Sequence, residues 1–390
     1  MTLIADSESL AAFCRRQEGA PFVTIDTEFM RDRTYWPVLC LVQVAGPEEA
    51  AALDPLAPGI DLAPLFALMR KPDVLKVFHA ARQDIEIFWN LMGAVPAPLF
   101  DTQVAAMVCG FGDSVSYETL AGRLAGAHID KTSRFTDWAR RPLTERQLRY
   151  ALDDVVHLRR VYERLSARLE ATGRAHWLEE EMAELTDPAI YRLDPAEAWR
   201  RLKVRTNSRR VLALARALAA WREITAQQRD LPRNRVVRDE QLIEIAAHAP
   251  KTVEELAQSR GLGRGFAEGR FGTEILAVVA RVLATPESEY PEPPLRRDLP
   301  PGLGPLTDLL RVLLKLRCEE NDVAVKLVAD SDDLERIAAD DAAEVRALHG
   351  WRLDLFGRDA LDLKHGRLAL SAAGKRIKLV RLGREAEAAQ

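Results

Sequence analysis

The sequence lacks the features of a secreted or membrane protein. Its 390 residues include four cysteines, Cys14, Cys40, Cys109 and Cys318, and no two of them form a CxxC pair. The spacing excludes a disulfide framework and argues against structural zinc. No apolar run approaches the ~18 residues of a membrane span, and the amino-terminal MTLIADSE has neither the basic nor the apolar region of a signal peptide. We therefore expect a protein of the reducing cytoplasm that has no membrane partner.

The chain also lacks a strong charge of either sign. It carries 55 Lys and Arg against 59 Asp and Glu, for a net charge of −4 and a pI of about 6.1. Contact with nucleic acid would therefore depend on local patches. One basic run could track phosphates or be an ordinary solvated face: Arg200, Arg201, Lys203, Arg205, Arg209 and Arg210. The glycine-rich stretch Gly261–Gly265 lacks GxGxxG spacing and a preceding strand, so we expect no nucleotide cofactor.

Composition and periodicity divide the chain into three segments. In the first, residues 1–192, strand-like and helical patterns alternate, which predicts an α/β domain with a mixed sheet covered by helices. The strand-like runs are 22–29, 38–45 and 74–79, and the helical patterns are 62–70, 80–92, 102–109, 116–125 and 144–170. Two all-helical domains are predicted at 206–286 and 300–380, and the Pro-rich stretch 285–294 between them indicates a stiff linker.

Two acidic residues interrupt the first apolar run. Asp26 and Glu28 lie in FVTIDTEF, residues 22–29, which contains β-branched and aromatic residues and no Gly or Pro. Alternate residues of a strand share a face, so the two carboxylates point the same way, about 7 Å apart at ~3.3 Å per residue. A divalent cation with oxygen ligands would remove their repulsion. An edge strand with one wet face is the alternative interpretation.

A third acid, Asp84, is predicted to face inward from the helix at 80–92. Its neighbours three and four positions away are apolar: Ala80, Ala81, Ile87 and Phe88. A lone charge in such company is costly unless it is paired or bound to a metal.

The helix at 144–170 carries two adjacent acids on different faces. Asp153 falls among Arg146, Arg149 and Arg160, so we expect it to form surface ion pairs. Asp154 falls on the inner face and lies one turn after Tyr150, so that the carboxylate and the hydroxyl can reach one site.

Four inward carboxylates without a matching inward Lys or Arg are hard to keep ionised. Each one alone is more often structural than catalytic. Together, Asp26, Glu28, Asp84 and Asp154 suit two divalent ions, Mg²⁺ or Mn²⁺, about 3.5–4 Å apart, that clamp the attacking and leaving oxygens of a phosphodiester.

The order of these residues resembles a known family. Asp-x-Glu in a first strand, a distant Asp and Tyr-x3-Asp on a late helix resemble the tyrosine-type DEDD 3′→5′ exonucleases, which have a ribonuclease-H-like fold. Four stretches resemble the bacterial ribonuclease D family: Asp26–Pro37, Val77–Asp84, Phe100–Gln103 and Lys131–Leu143. The resemblance covers nearly the whole chain, and the two helical segments resemble HRDC domains, the module shared with RecQ-type helicases.

The resemblance implies a metal-dependent 3′→5′ exoribonuclease that releases nucleoside 5′-monophosphates from RNA 3′ ends, with tRNA precursors as the expected substrate and a monomeric chain. It implies that Asp26 bridges both ions, that Glu28 and Asp154 complete the nucleophile-side site, and that Asp84 supports the second ion. Tyr150 would orient or help to deprotonate the attacking water. A 3′→5′ DNA exonuclease of the same superfamily is the nearest alternative, because discrimination depends on the 2′-OH. A non-catalytic RNA-binding adaptor is another, although it would not need four inward acids.

Five further residues are candidates for contact with the substrate: His79, Gln83, Arg31, Tyr35 and Lys131. His79 ends a strand just before the Asp84 helix and could meet the terminal nucleotide or only cap the strand. Arg31 and Tyr35 follow the acidic strand, and their side chains suit phosphate contact and base stacking or, equally, packing of the loop. Gln83 and Lys131 could line the groove. The acidic composition of 300–380 favours a packing role over RNA contact.

Overall fold

The first part of the chain folds around a mixed β-sheet, as predicted. The computed structural model describes residues 2–130, 132, 136–293 and 300–382. The strands of this sheet are β1 (Thr2–Ile4), β2 (Phe22–Met30), β3 (Val38–Ala45), β4 (Ala50–Leu53), β5 (Leu75–Phe78) and β6 (Leu99–Asp101). Their order is β1-β4-β3-β2-β5-β6, in which β3 runs antiparallel to both of its neighbours and the other described pairs are parallel.

Strand β2 is central, and its sequence explains both its burial and its polar end. Val23, Thr24 and Ile25 are fully buried, as expected of a strand that is covered on both faces. Asp26 and Glu28 follow in the same strand, and the register with β3 shifts directly after Glu28. Such bulges are common beside active sites, where they re-aim a side chain.

Helices cover both faces of this sheet. They are α1 (Ser7–Gln17), α2 (Ala63–Arg70), α3 (Arg82–Met92), α4 (Thr102–Val108), α5 (Tyr117–Leu120, continued by a π-turn over Ala121–Ala125), α6 (Glu145–Ala171) and α7 (Trp177–Thr186). One apolar cluster joins the sheet to α1, α2 and α3, and another joins it to α4 and α6. A capping box between Thr144 and Gln147 starts α6. The apolar periodicity of α6 fixes which of its sides faces the sheet.

The second part is all-helical, as predicted. Its helices are α8 (Arg209–Arg229), α9 (Arg233–Val236), α10 (Asp239–His248), α11 (Val253–Gln258), α12 (Arg264–Ala267) and α13 (Arg270–Ala284). The Pro-rich stretch that follows is not simply a stiff spacer. Tyr290 is 7% exposed and its hydroxyl donates a hydrogen bond to the carbonyl of Val282 (3.1 Å), so this stretch packs on the second part as far as it is described.

The third part differs from the all-helical prediction for 300–380. Its helices are α14 (Gly304–Glu320), α15 (Val325–Val328), α16 (Ser331–Ala339), α17 (Gly350–Arg352, continued by a π-turn over Leu353–Gly357) and α18 (Arg358–Lys364). An antiparallel hairpin of β7 (Leu368–Ala373) and β8 (Arg376–Arg381) follows α18. Gly374 starts the turn with φ +64°, which glycine adopts without strain. The alternating sequence and this two-residue turn favour a hairpin over a further helix.

The third part packs on the first part through α7. The rings of Trp177 and Trp351 stack with their centroids 4.2 Å apart. The guanidinium of Arg352 is 1% exposed and pairs with Glu180 and Glu181. These contacts agree with the packing role that we expected for this segment.

The cysteines lie in the interior of the fold. All four cysteines are buried and unpaired. Within the described ranges, the structure has no helix that is both long and apolar enough to cross a membrane.

Candidate active site

The even-numbered residues of β2 face helix α6. The Thr24 hydroxyl donates a hydrogen bond to the carbonyl of Val155 (2.7 Å), which ties the strand to the helix. Because alternate residues share a face, Asp26 and Glu28 lie on the same side as Thr24. On α6, Asp154 precedes Val155 and is 8% exposed. Strand and helix thus bring their acids to one place.

Three carboxylates meet where β2 and α6 pack together. Oxygen atoms of Asp26, Glu28 and Asp154 lie within 4.8 Å of one another. Burial raises the pKa of Asp26, and the neighbouring Asp154 raises it further, so negative charge is disfavoured here unless a cation compensates it. Oxygen donors alone, at this spacing, fit a hard divalent cation such as Mg²⁺ or Mn²⁺.

The fourth acid, Asp84, is held in place by Thr27. Asp84 lies in the first turn of α3 and is 7% exposed. Thr27, which points away from the face that Asp26 and Glu28 share, donates a hydrogen bond from its hydroxyl to the Asp84 carboxylate. Burial and the nearby Asp26 raise the pKa of Asp84. Asp84 therefore lies beside Asp26, although it is not part of the 4.8 Å cluster.

Tyr150 lies beside the acids on α6. Its hydroxyl is hydrogen-bonded to Asp154, one turn later, as the helical spacing predicts. Burial and the adjacent Asp154 raise the pKa of Tyr150, so the phenol is protonated at neutral pH. Its ring lies 6.1 Å from the ring of Trp138, which is buried. The aromatic contact and the helix together fix where the hydroxyl points.

Asp153 and Asp154 have separate environments, but one expectation for Asp153 was wrong. Asp154 lines the cavity described below, whereas Asp153 is half-buried and does not. In the described part of the chain, Asp153 makes no ion pair, because Arg146, one of its predicted partners, pairs with Asp130 instead (3.1 Å). The backbone carbonyl of Asp153 accepts a hydrogen bond from the hydroxyl of Tyr117 (3.1 Å).

The acids and Tyr150 line one open cavity of about 540 Å³. This volume is in the range of small-ligand sites and would admit a terminal nucleotide. Other side chains on its wall are Phe29, His79, Gln83, Gln103, Ser116, Tyr117, Glu118 and Ile129. Of the five predicted substrate contacts, the structure places His79 and Gln83 here.

The ring of His79 is held by neighbours on the cavity wall. Its Nδ1 lies 3.0 Å from the hydroxyl of Thr102. The backbone of Val115 also interacts with the ring, although the buried Nε2 has no hydrogen bond of good geometry among the described residues. Burial lowers the pKa of His79, so the neutral imidazole is favoured.

Tyr35 lies away from the acids and was misjudged as a candidate for base stacking. It is 7% exposed, and its hydroxyl donates a hydrogen bond to Glu223 of α8. Its backbone N–H donates to the carboxylate of Asp230 (2.9 Å). The loop after β2 therefore anchors the second part of the chain to the first, and the alternative of loop packing describes Tyr35 correctly.

Arg31 is not placed at the cavity either. The Arg31 guanidinium pairs with Glu86 of α3 (2.6 Å), a residue that lines a different cavity. Lys131 lies outside the described residues.

The basic run at 200–210 is only partly available for a ligand. Arg209 donates a hydrogen bond to the carbonyl of Tyr290 (2.6 Å), and Arg200 pairs with Glu197. Arg201, Lys203, Arg205 and Arg210 are exposed.

Sequence reasoning missed two residues that shape the cavity, Asp101 and Tyr117. The Asp101 carboxylate accepts hydrogen bonds from the N–H groups of Ala80 (3.0 Å) and Ala81 (2.8 Å) and also caps α4. Ala80 has φ +59°, a strained conformation for a residue with a side chain, so Asp101 stabilises the turn that leads into α3. The pattern Asp-Thr-Gln after a short apolar run is a helix N-cap signal that could have identified Asp101. Tyr117 carries no such signal.

The chain is similar to known proteins over nearly its whole length. Residues 1–170 match the family described as 3′-5′ exonuclease, and residues 211–279 match the HRDC domain. The chain is 54% identical to ribonuclease D of Granulibacter bethesdensis over 98% of this chain and 97% of that protein. It is 53% identical to ribonuclease D of Acidiphilium cryptum, with 97% of each covered. The crystal structure of Escherichia coli RNase D, described as an exoribonuclease involved in structured RNA processing, matches with a TM-score of 0.80 and 32% identity, over 94% of this chain and 98% of that one.

Proposed function

This chain belongs to the ribonuclease D family and is a 3′→5′ exoribonuclease, and we propose that it removes nucleotides one at a time at the cavity of Asp26, Glu28, Asp84, Tyr150 and Asp154. The observation that carries the proposal is the meeting of three carboxylates within 4.8 Å on the wall of an open cavity. The products would be nucleoside 5′-monophosphates and an RNA that is one residue shorter.

The cofactors in this proposal are two divalent ions, Mg²⁺ or Mn²⁺, held by the four carboxylates. When bound, such ions supply positive charge for the attacking and leaving oxygens of a phosphodiester. Asp26 lies between Asp154 and Asp84 in charge contact with both, which supports its assignment as the shared ligand. Glu28 and Asp154 would complete one site, and Asp84, supported by Thr27, would complete the other.

Tyr150 is assigned to the attacking water. Burial and Asp154 raise the pKa of Tyr150 in the metal-free protein, and with the ions bound its hydroxyl would orient the water or help to deprotonate it. Its bond to Asp154 holds the hydroxyl beside the acids. In the reaction the attacking water gives up a proton to solvent and its oxygen bonds to phosphorus, the bond from phosphorus to the 3′ oxygen breaks, and that oxygen takes up a proton as the new 3′-OH.

His79 and Gln83 are assigned to the terminal nucleotide. The support is that both side chains line the cavity beside the acids. Structured RNA, with tRNA precursors as the specific case, is the proposed substrate. The support is the full-length relationship to ribonuclease D proteins, one of which is described as acting in structured RNA processing. The cytoplasmic location and the monomeric state stay predictions.

A degradation assay separates this function from its alternatives. RNA and DNA of one sequence, labelled at the 5′ end, are incubated with the protein in Mg²⁺, with and without EDTA. We expect the RNA to shorten in single-nucleotide steps and the reaction to stop in EDTA. Faster degradation of the DNA would favour a DNA exonuclease. Binding of RNA without any degradation in Mg²⁺ or Mn²⁺ would favour an RNA-binding adaptor.

A further inference from the structure

A second cavity lies where the first part of the chain meets the second. Its volume is about 180 Å³, and four arginines line it: Arg31, Arg82, Arg201 and Arg233. The first two belong to the nuclease part, and the last two belong to the second part and the segment that leads into it. Helix α3 borders both cavities, since Arg82 lines this one and the adjacent Gln83 and Asp84 line the active site.

Two of the four arginines are already neutralised. Arg31 pairs with Glu86 (2.6 Å), and Arg233 makes two hydrogen bonds of 2.5 Å with the buried Glu223. These two pairs fix the shape of the cavity and join the loop after β2 to α8 through Tyr35, which also contacts Arg233.

The remaining two arginines, Arg82 and Arg201, carry the positive charge of this cavity. Within the ranges that the structure describes, neither makes an ion pair or a side-chain hydrogen bond, and both are exposed. A guanidinium presents several donors in a plane and matches the oxygens of a phosphate group. The chemistry of the cavity therefore favours a phosphate over an apolar or cationic ligand.

The position of the cavity identifies which phosphate it suits. Arg31 follows Glu28 by three residues, and Arg82 precedes Asp84 by two. An extended chain of three residues spans at most about 11 Å, so the backbone of the arginine cavity lies that close to the backbone of the acids. A strand whose 3′ end lies at the acids would bring a phosphate upstream of the cleaved one to the arginines.

We propose that Arg82 and Arg201, supported by Arg31 and Arg233, bind an internal phosphate of the RNA strand whose 3′ end is at the active site. The inference rests on the proposed function and adds to it a site for the substrate backbone at the junction of the two parts. A dinucleotide without a 5′ phosphate has no phosphate besides the one that is cleaved at the acids, so the contact would favour longer single-stranded 3′ tails.

The test compares two double variants that lose the same charge. One is Arg82→Gln with Arg201→Gln. The control is Arg260→Gln with Arg281→Gln, which removes two exposed arginines of the second part that make no ion pair within the described residues. Binding of a labelled decamer RNA is measured by fluorescence anisotropy in EDTA at several salt concentrations. Degradation of the decamer and of a dinucleotide is then measured in Mg²⁺, and thermal unfolding checks the fold of each variant.

We expect the Arg82/Arg201 variant to bind the decamer about tenfold more weakly, as the loss of one charge-assisted phosphate contact predicts. The slope of log K against log salt should become shallower by about 0.7 for one phosphate. Its ratio of kcat/KM for the decamer to kcat/KM for the dinucleotide should fall by a similar factor. The control should match the wild type.

Three results would overturn the proposal: wild-type decamer binding by the Arg82/Arg201 variant, equal weakening by the control variant, or weaker binding with an unchanged salt slope. Displacement of the decamer from the wild type by millimolar inorganic phosphate at constant ionic strength would assign the cavity to a free anion instead of a strand. Binding in EDTA is independent of catalysis. If the proposed function is wrong, the wild-type protein will degrade neither the decamer nor the dinucleotide in Mg²⁺, whatever the binding experiment shows.

Discussion

The Thr27 hydroxyl donates a hydrogen bond to the Asp84 carboxylate, although the two residues are 57 positions apart. Thr27 stands between Asp26 and Glu28, so one short stretch of β2 supplies two acids on one face and positions a third acid from the other. Buried Asp84 thereby keeps a fixed carboxylate orientation beside Asp26. The strand thus organises the acids on both of its sides.

Replacing Thr27 with Val tests this positioning. The variant keeps a β-branched side chain of similar size and loses only the donor to Asp84. Loss of a side chain that orients a metal ligand typically lowers metal affinity or activity by about 10–100-fold. The Mg²⁺ concentration for half-maximal activity should therefore rise by roughly that factor. Thr24→Val is the matched control, because its hydroxyl donates to a helix carbonyl and not to an acid. Equal Mg²⁺ dependence in both variants would show that Thr27 does not position Asp84.

Replacing Tyr150 with Phe should lower kcat with little change in the Mg²⁺ requirement. The ring, its contact with Trp138 and the helix remain, and only the hydroxyl beside Asp154 is lost. A side chain that takes part in proton transfer at a reacting group contributes about 10²–10⁴-fold to the rate. Single-turnover rates over a Mg²⁺ titration measure both effects. A higher Mg²⁺ requirement with a normal maximal rate would make Tyr150 a support for Asp154 instead.

The adjacent acids of α6 should respond in opposite ways to substitution. Asp154→Asn should reduce activity by several orders of magnitude, because it removes an oxygen ligand charge from the three-carboxylate cluster. Asp153→Asn should keep most activity, since this carboxylate does not line the cavity and makes no ion pair among the described residues. Degradation rates of the two variants, measured on the same RNA, show which of the two aspartates is needed for activity. The reverse pair of phenotypes would mean that α6 is rotated by about 100° from its observed orientation.

The acids should destabilise the metal-free protein at neutral pH. Burial raises the pKa of Asp26 and Asp84 above the ordinary value of 3.8, so the folded state binds protons more tightly than the unfolded state. The free energy of unfolding therefore falls as the pH rises from about 4 through the raised pKa of the folded state. Above that pKa the full loss of stability is present.

Thermal unfolding of Asp84→Asn and of the wild type in EDTA measures this penalty. The variant should unfold at a higher temperature at pH 7.5, by about 1 °C for each kcal/mol of relieved repulsion in a chain of 390 residues, and the difference should shrink towards pH 4. Adding Mg²⁺ should stabilise the wild type more than the variant. A variant that is less stable than the wild type at pH 7.5 would contradict the raised pKa.

The sequence predicted the elements that have a strong period. The alternation of β2 placed Asp26 and Glu28 on one face, and the 3.6-residue period of α6 separated Asp154 from Asp153. In both cases the local pattern is enough to predict which side chains point into the protein, because burial of one face determines the direction of every side chain on the element. The mixed sheet and the helical second part were predicted for the same reason.

The features that were missed depend on contacts between distant parts of the chain. The strands β1, β4 and β6 have three or four residues, too few to show a period. Nothing in the loop after β2 indicates that α8 covers Tyr35, since an aromatic residue there would equally suit a base. The hydrogen bonds of Asp101 to Ala80 and Ala81 likewise exist only once β5 and β6 are paired.

The most direct test of the account is the replacement of Asp26 with Asn. Asp26 is in charge contact with both Asp154 and Asp84, and Asn keeps its shape while removing its charge. Rates on a 5′-labelled RNA in Mg²⁺ are compared for wild type and variant, with circular dichroism and thermal unfolding to verify the fold. The account predicts single-nucleotide shortening by the wild type, its loss in EDTA, and a folded variant with at least a thousandfold lower rate, roughly the loss of a metal-held transition state. Near-wild-type turnover by the folded variant would contradict a metal-dependent active site at these carboxylates.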